Sequence, residues 1–238
     1  MSGERPPDDR RPAGGARHRD EQGSDQHTPD SGRIARPRGP RTFALAITGA
    51  SGALYAVRTM AALLERECHL EVVISDYGKR LLHDELGEAA NVNRLREYLV
   101  GKYGDTAKRG TFTVLSNKDL GAPIASGSHD CEAMAIVPCS MKTLAGVAHG
   151  LSRNLVERAA DVMLKEKRRL VVVPREAPMS LPQLKNMVLC AEAGAMILPA
   201  MPAFYQMPKT LDDLADFMAG KILSALGFDQ DLYPKWDG

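Results

Sequence analysis

Arg175 and Glu176 directly follow residues 170–174 (LVVVP), a continuous apolar run that reads as a buried strand. A charged pair at the carboxyl end of such a strand lies where an α/β sheet binds its ligands. A carboxyl group held there works as a general acid when its pKa is raised. Three other segments are built from small and hydroxyl residues. Gly49, Ala50, Ser51 and Gly52 follow the apolar run 43–48 (FALAIT) and open a helix. Glycines let the backbone approach an anion, and a helix N-terminus supplies free N–H groups and a positive dipole end. This loop is neither GxGxxG nor a Walker A loop. Ala125-Ser126-Gly127-Ser128 is the second segment. The third is PCSMKT at 138–143, which carries Ser140 and Thr143 and follows the apolar run 133–138 (AMAIVP). Ser75 ends another apolar run, 70–75 (LEVVIS). Asp76 comes next and is not the acid about 20 residues past a glycine loop that dinucleotide folds place on a ribose, so Ser75 suits a mononucleotide at least as well. Together these loops would line one anionic, planar ligand with hydroxyls and backbone amides.

Several further charged or hydroxyl-bearing groups stand out. Arg158 and Lys165 lie on one predicted helix (154–165), two turns and about 10 Å apart on the same face. Lys167, Arg168 and Arg169 read as a solvated face. Tyr205 lies in a loop bounded by Pro202 and Pro208, whose rings would stiffen it. Lys221 sits at the edge of the apolar stripe of the last helix, where a cation either snorkels to water or meets an anion. Cys139 has the look of a nucleophile, but no neighbouring feature identifies a base, and it reads as structural.

These groups need a scaffold, and the apolar pattern supplies one. Strands are expected at 43–48, 70–75, 112–115, 133–138, 170–174 and 195–198. Helices are expected from Leu54, at 77–86, at 92–100, near Thr143, and at 154–165, 181–193 and 211–226. Continuous apolar strands alternating with helices indicate a doubly wound parallel sheet with helices on both faces, of flavodoxin-like α/β type. Residues 1–41 differ: rich in Arg, Asp, Gly and Pro, without apolar period, they read as a disordered extension to a domain at 42–238. The segment has no apolar stretch of a signal peptide, and it carries acids that a transit peptide would lack. The chain has 238 residues, 44% of them hydrophobic, and a net charge of +1. Nothing in that balance marks a nucleic-acid or anionic-membrane binder, and no apolar run reaches the ~20 residues of a membrane helix. Four cysteines without metal-ligand spacing suit reduced cytoplasmic thiols and no metal site.

The segments TGASGA (48–53), ASGS (125–128), ERAADVMLKE (157–166), VPREAP (173–178) and FY (204–205), in that order, resemble the flavin prenyltransferase family of UbiX type. The matching stretch runs from about Thr42 to Trp236. The resemblance implies an enzyme that joins a dimethylallyl group, usually from the monophosphate, to reduced FMN at N5 and C6. The product, prenylated FMN, serves a partner decarboxylase. It implies flavin contacts at Ser51, Ser75, Ser126, Ser140, Thr143 and Arg158, and prenyl-phosphate contacts at Lys165, Arg175 and Tyr205. Glu176 matches the acid that protonates the departing phosphate, and Glu85 a second acid near the site. The family's last helix usually presents an arginine to the phosphate. Lys221 keeps the charge and loses the fork, which bears on phosphate affinity and on the choice of monophosphate or diphosphate donor. The family commonly forms dodecamers with sites shared between neighbours, and Trp236 resembles a tail aromatic near such a site.

Two other functions fit parts of the pattern. FMN-dependent cysteine-type decarboxylases share the sheet but carry an early catalytic His and a Pro-Ala-Ser-Ala-Asn-Thr motif. Here PCSMKT stands in place of that motif, and His69 and His83 are poorly placed. A non-catalytic flavodoxin-like carrier would need FMN contacts but not Lys165, Arg175, Glu176 and Tyr205.

Overall fold

The apolar runs fold as six parallel strands of one sheet in the computed structural model, which describes residues 39–234. The strands are β1 (Thr42–Ile47), β2 (His69–Ile74), β3 (Thr111–Leu115), β4 (Ala133–Cys139), β5 (Arg169–Pro174) and β6 (Met196–Ile197). The helices are α1 (Ala53–Glu65), α2 (Asp76–Leu86), α3 (Leu95–Tyr103), α4 (Met141–Ala148), α5 (Leu155–Lys165), α6 (Leu181–Glu192) and α7 (Leu211–Leu226). Side chains alternate along β1. Phe43, Leu45 and Ile47 enter one core with α1, α2, α3 and α7, while Ala44 and Ala46 enter a second with α4, α5 and α6. Burial on both faces is why the strands lack polar alternation. Each fully buried Leu, Ile or Phe contributes roughly 1.5–3 kcal/mol.

Strand order is β3-β2-β1-β4-β5-β6. Leaving out β3 and renumbering gives the 2-1-3-4-5 order of flavodoxin-like sheets, so this is that fold with one strand added beyond β2. The order reverses between β1 and β4, and a ligand crevice opens at such a switch point beyond the carboxyl ends. Thr48 ties the seam there. Its hydroxyl donates to the Pro138 carbonyl (2.9 Å) and accepts from the Ser140 N–H (2.7 Å).

Some boundaries differ from expectation. The helix expected from Val92 opens as a 3₁₀ turn and becomes α-helical at Leu95, because the Asn91 side chain accepts from the Asn93 and Arg94 amides at 3.0 and 3.1 Å. β6 is shorter than 195–198, although the Leu198 and Ala200 amides still donate to the Val172 and Pro174 carbonyls of β5 (2.8 and 2.9 Å). Arg41, assigned to the extension, belongs to the domain. Its carbonyl accepts from His69 N (2.9 Å), and its guanidinium grips Glu132 (2.9–3.1 Å). Residues 1–38 of the expected extension, and Trp236, lie outside the described residues. Among the described residues, no helix is long and apolar enough to cross a membrane.

Candidate active site

A cleft of about 300 Å³ opens at the switch point, lined by Thr48, Gly49, Ser75, Tyr77, Ser140 and Thr143 from the β1, β2 and β4 loops, and by Asn117, Asn154 and Glu157 opposite. Three helix N-termini with side-chain caps meet there. Ser75 Oγ accepts from Gly78 N (3.1 Å), Ser140 Oγ from Thr143 N (3.3 Å), and Asn154 Oδ1 from Glu157 N (3.1 Å). The Ser140 hydroxyl also donates to Thr143 Oγ1 (3.0 Å). Capped helix starts gather hydroxyls and positive dipole ends, the surroundings an anion favours. A Cβ at Gly49 would come 2.5 Å from the Tyr77 Cβ, so only glycine lets this loop close on α2. Asn117, Tyr77, Asn154 and Glu157 were not singled out from the sequence. The asparagines could have been found, because each sits one or two residues before an apolar helical pattern or after a strand.

The glycine loop is occupied from within the chain. The Glu85 carboxylate accepts from Gly52 N (3.0 Å) and Ala53 N (2.8 Å), at the N-terminus of α1. The anion that the free amides of this helix attract is therefore Glu85. Arg175 Nε donates to the Ser51 carbonyl (3.2 Å), which brings the end of β5 onto the same loop. Glu176 Oε1 accepts from Ala177 N (3.1 Å). Tyr55, unremarked in the sequence, joins them. Burial holds its phenol above its ordinary pKa, the Glu85 carboxylate adds to the shift and Arg175 opposes it. Glu85, Arg175, Tyr55 and the 49–53 backbone thus form one cluster.

A second cluster lies on the outer face of α5. Arg158 Nε donates to the Ala125 carbonyl (3.1 Å) and its outer nitrogen pairs with Asp161 (2.9 Å). Lys165 Nζ bonds Glu166 (2.8 Å) beside Gly127. The Ser126 and Ser128 hydroxyls lie 2.9 Å apart. This loop does not sit at a strand's carboxyl end. It lies in the long connection from β3 to β4, against the C-terminal end of α5. Lys165 thus stands at the amino end of β5 and Arg175 at its carboxyl end, six strand residues apart, or about 20 Å at the usual rise. One subunit does not bring the two cations onto one phosphate.

The third cluster does unite two predicted residues. Tyr205 stands edge-on to Phe217 (6.2 Å between centroids, 86°), and Lys221 Nζ lies 5.5 Å from the Phe217 ring and 5.7 Å from that of Tyr233. Two rings within ~6 Å hold an ammonium by cation–π attraction and restrict its rotamers. Gln206 Nε2 donates to the Pro234 carbonyl (2.8 Å), fastening the C-terminal segment to the loop of Tyr205.

Cys139 is fully buried, and burial, followed by the neighbouring Cys190, raises its thiol well above the ordinary value. Burial likewise pushes Cys131 up to about 12 and Cys68 and Cys190 up to about 11. Thiolate is the reactive form, so raised values leave almost none at neutral pH. Iodoacetamide is expected to label no cysteine of the native protein and all four after denaturation, as read by intact mass; rapid native labelling of Cys139 would restore it as a nucleophile. No group of three or more His, Cys, Asp or Glu side chains among the described residues could hold a metal ion.

The Flavoprotein family model matches residues 33–223. The chain is 44% identical over 194 residues to the flavin prenyltransferase UbiX of Halalkalibacterium halodurans, covering 82% of this chain and 92% of that protein. It is 44% identical over 200 residues to the flavin prenyltransferase UbiX of Pseudomonas aeruginosa, covering 83% and 95%. Among solved structures, AnUbiX in complex with FMN and dimethylallyl pyrophosphate superposes with a TM-score of 0.74 at 35% identity, over 84% of this chain and 99% of that one. A dodecameric FMN-dependent UbiX-like decarboxylase from Escherichia coli O157:H7 gives 0.72 at 36% identity, over 83% and 100%. The glycine loop, the strand-end Arg175-Glu176 pair and the extent of these matches agree: the chain belongs to the UbiX-type flavin prenyltransferase family.

Proposed function

We propose that this protein joins a dimethylallyl group, from dimethylallyl monophosphate or diphosphate, to reduced FMN and so makes prenylated FMN for a partner decarboxylase. The observation that carries the proposal is the gathering of Glu85, Arg175 and Tyr55 on the loop at 51–53, beside a hydroxyl-lined cleft at the switch point. The residues present fit FMN: capped helix starts and hydroxyls suit its phosphate and polar edge, and the glycine at 49 keeps the wall low. Ser51, Ser75, Ser140 and Thr143 would hold it from this subunit, and Ser126 and Arg158 from a neighbour. When bound, reduced FMN supplies the nucleophilic N5 and C6 that take the prenyl group.

The chain's own work is on the phosphate. Arg175, Lys165, Tyr205 and Lys221 hold it and spread the charge that builds on its oxygens as the carbon–oxygen bond breaks. Glu176 gives its proton to the departing oxygen, a contribution on the order of 10²–10⁴ in rate. Lys221, lying against the paired Phe217 and Tyr233 rings, offers one directed charge where the family's arginine offers a fork. A homo-oligomer, with a dodecamer among the relatives, accounts for Lys165 and Arg175 standing at opposite ends of β5. Four free, buried cysteines suit a reducing cytoplasm.

The decisive experiment is mass analysis of flavin released after anaerobic incubation with reduced FMN and each donor. A flavin heavier than FMN by one C5 prenyl unit is expected. Unchanged FMN with both donors, beside an active control enzyme, would overturn the proposal.

A further inference from the structure

Building on the flavin site proposed above, we infer that Arg168 is a positioning residue that sets the Ser126–Ser128 hydroxyl pair. From Ala125 to His129, every second carbonyl is taken by a guanidinium. Arg158 Nε donates to the Ala125 carbonyl (3.1 Å), and the two outer nitrogens of Arg168 donate to the carbonyls of Gly127 (2.6 Å) and His129 (2.8 Å). One planar guanidinium spanning two carbonyls fixes the distance and tilt between their peptide units. An ammonium, a point charge on a flexible stem, does not.

Two further contacts hold the same segment. A Cβ at Gly127 would lie 2.1 Å from Glu166 Oε1 and 3.0 Å from Lys165 Nζ, so the glycine lets these two flexible side-chain ends close over the loop at the end of α5. At the other end, His129 Nε2 lies 2.7 Å from Glu71 Oε2. Glu71 is 6% exposed on β2, a buried carboxylate that the proposed chemistry does not use. A carboxylate so placed is costly without a partner, and that cost keeps His129 in place. The segment is therefore gripped at three successive alternate residues and pinned at its end.

The outcome is the geometry of the residues between the grips. Ser126 and Ser128 are exposed, their hydroxyls 2.9 Å apart, and Ser126 Oγ also accepts from Ser128 N (3.4 Å). One hydroxyl donates to the other, which polarises the pair and leaves one proton directed outward with several lone pairs beside it. That is a preformed contact for a polar ligand edge, with no loop ordering left to be done on binding. Arg168 sits in the run KEKRR, where charge pattern alone assigns it to solvent.

FMN titration followed by flavin fluorescence, with steady-state kinetics and thermal midpoints, tests this on wild type, Arg168→Met, Arg168→Lys and the exposed neighbour Lys167→Ala. Arg168→Met is expected to raise the FMN Kd and KM roughly tenfold, the scale of lost charge-assisted hydrogen bonds, with kcat lowered far less and the midpoint near that of wild type. Arg168→Lys should fall between, and Lys167→Ala should match wild type. Wild-type FMN affinity in Arg168→Met, in a protein whose wild type binds FMN, overturns this inference alone. Failure of the wild type to bind FMN overturns the flavin site and this inference with it. Should Arg168→Met not fold, Arg168→Lys decides: unaltered affinity for FMN overturns the assignment.

Discussion

Replacing Glu176 by Gln is expected to lower prenyl transfer by roughly 10²–10⁴-fold, the usual worth of a positioned general acid, while FMN still binds. Glu176 is held on short chain. It follows Pro174 and Arg175 at the end of β5, and one carboxyl oxygen accepts from its neighbour Ala177 N at 3.1 Å. A glutamine side chain has the same length and keeps an oxygen for that amide, so the loop should hold its shape. What it loses is the carboxyl that the proposed function uses as proton donor, and the departing phosphate oxygen must then leave unprotonated or take a proton from water. Arg175 stays on the Ser51 carbonyl in the variant, so charge stabilisation of the phosphate is retained. Single-turnover formation of prenylated flavin is the measurement, with FMN affinity recorded beside it. Turnover within about threefold of wild type would remove Glu176 from the mechanism. A loss of FMN binding in step with turnover would mean that the residue shapes the flavin site instead.

Much of this arrangement is legible in the sequence, and the part that is not has a physical cause. The strands announce themselves because both faces of the sheet are buried, and burial on both faces leaves continuous apolar runs such as FALAI and LVVVP. Ser75 and Ser140 are legible for a local reason: a serine between a strand and a helix caps the helix, and the cap sits at the strand's carboxyl end. Contacts across long stretches of chain are hidden. Glu85 reaches the α1 N-terminus from 33 residues away, and Arg41 reaches Glu132 across 91. Neither spacing has a period to betray it. Arg168 shows the limit most plainly. Its neighbours make it look like solvated charge, and only the return of the β3–β4 connection along α5 gives its two donors carbonyls to hold. The separation of Lys165 from Arg175 is legible, since the expected helix 154–165 and strand 170–174 already put them at opposite ends of the strand; their common assignment to the prenyl phosphate masks it.

That separation yields the second large effect. Lys165→Ala and Arg175→Ala are each expected to lose at least ~10² in turnover, since under the proposed function each removes a cation from the leaving phosphate. Assembled together from an equal mixture of subunits, they should recover activity. Lys165 rests on Glu166 beside Gly127, while Arg175 rests on Ser51 at the far end of β5. If one phosphate needs both, the lysine comes from one copy and the arginine from the next, as symmetric oligomers allow. Random mixing then makes about a quarter of the sites complete, with an intact lysine on one side and an intact arginine on the other. Coexpression with two different affinity tags, tandem purification and an assay of the mixed assemblies reads this directly. Recovery near that fraction would establish a site built between subunits, which no folding of a single chain could mimic. Mixed assemblies as inactive as their parents would mean that both cations serve one site within the subunit, and α5 would then have to move along the sheet to bring Lys165 there.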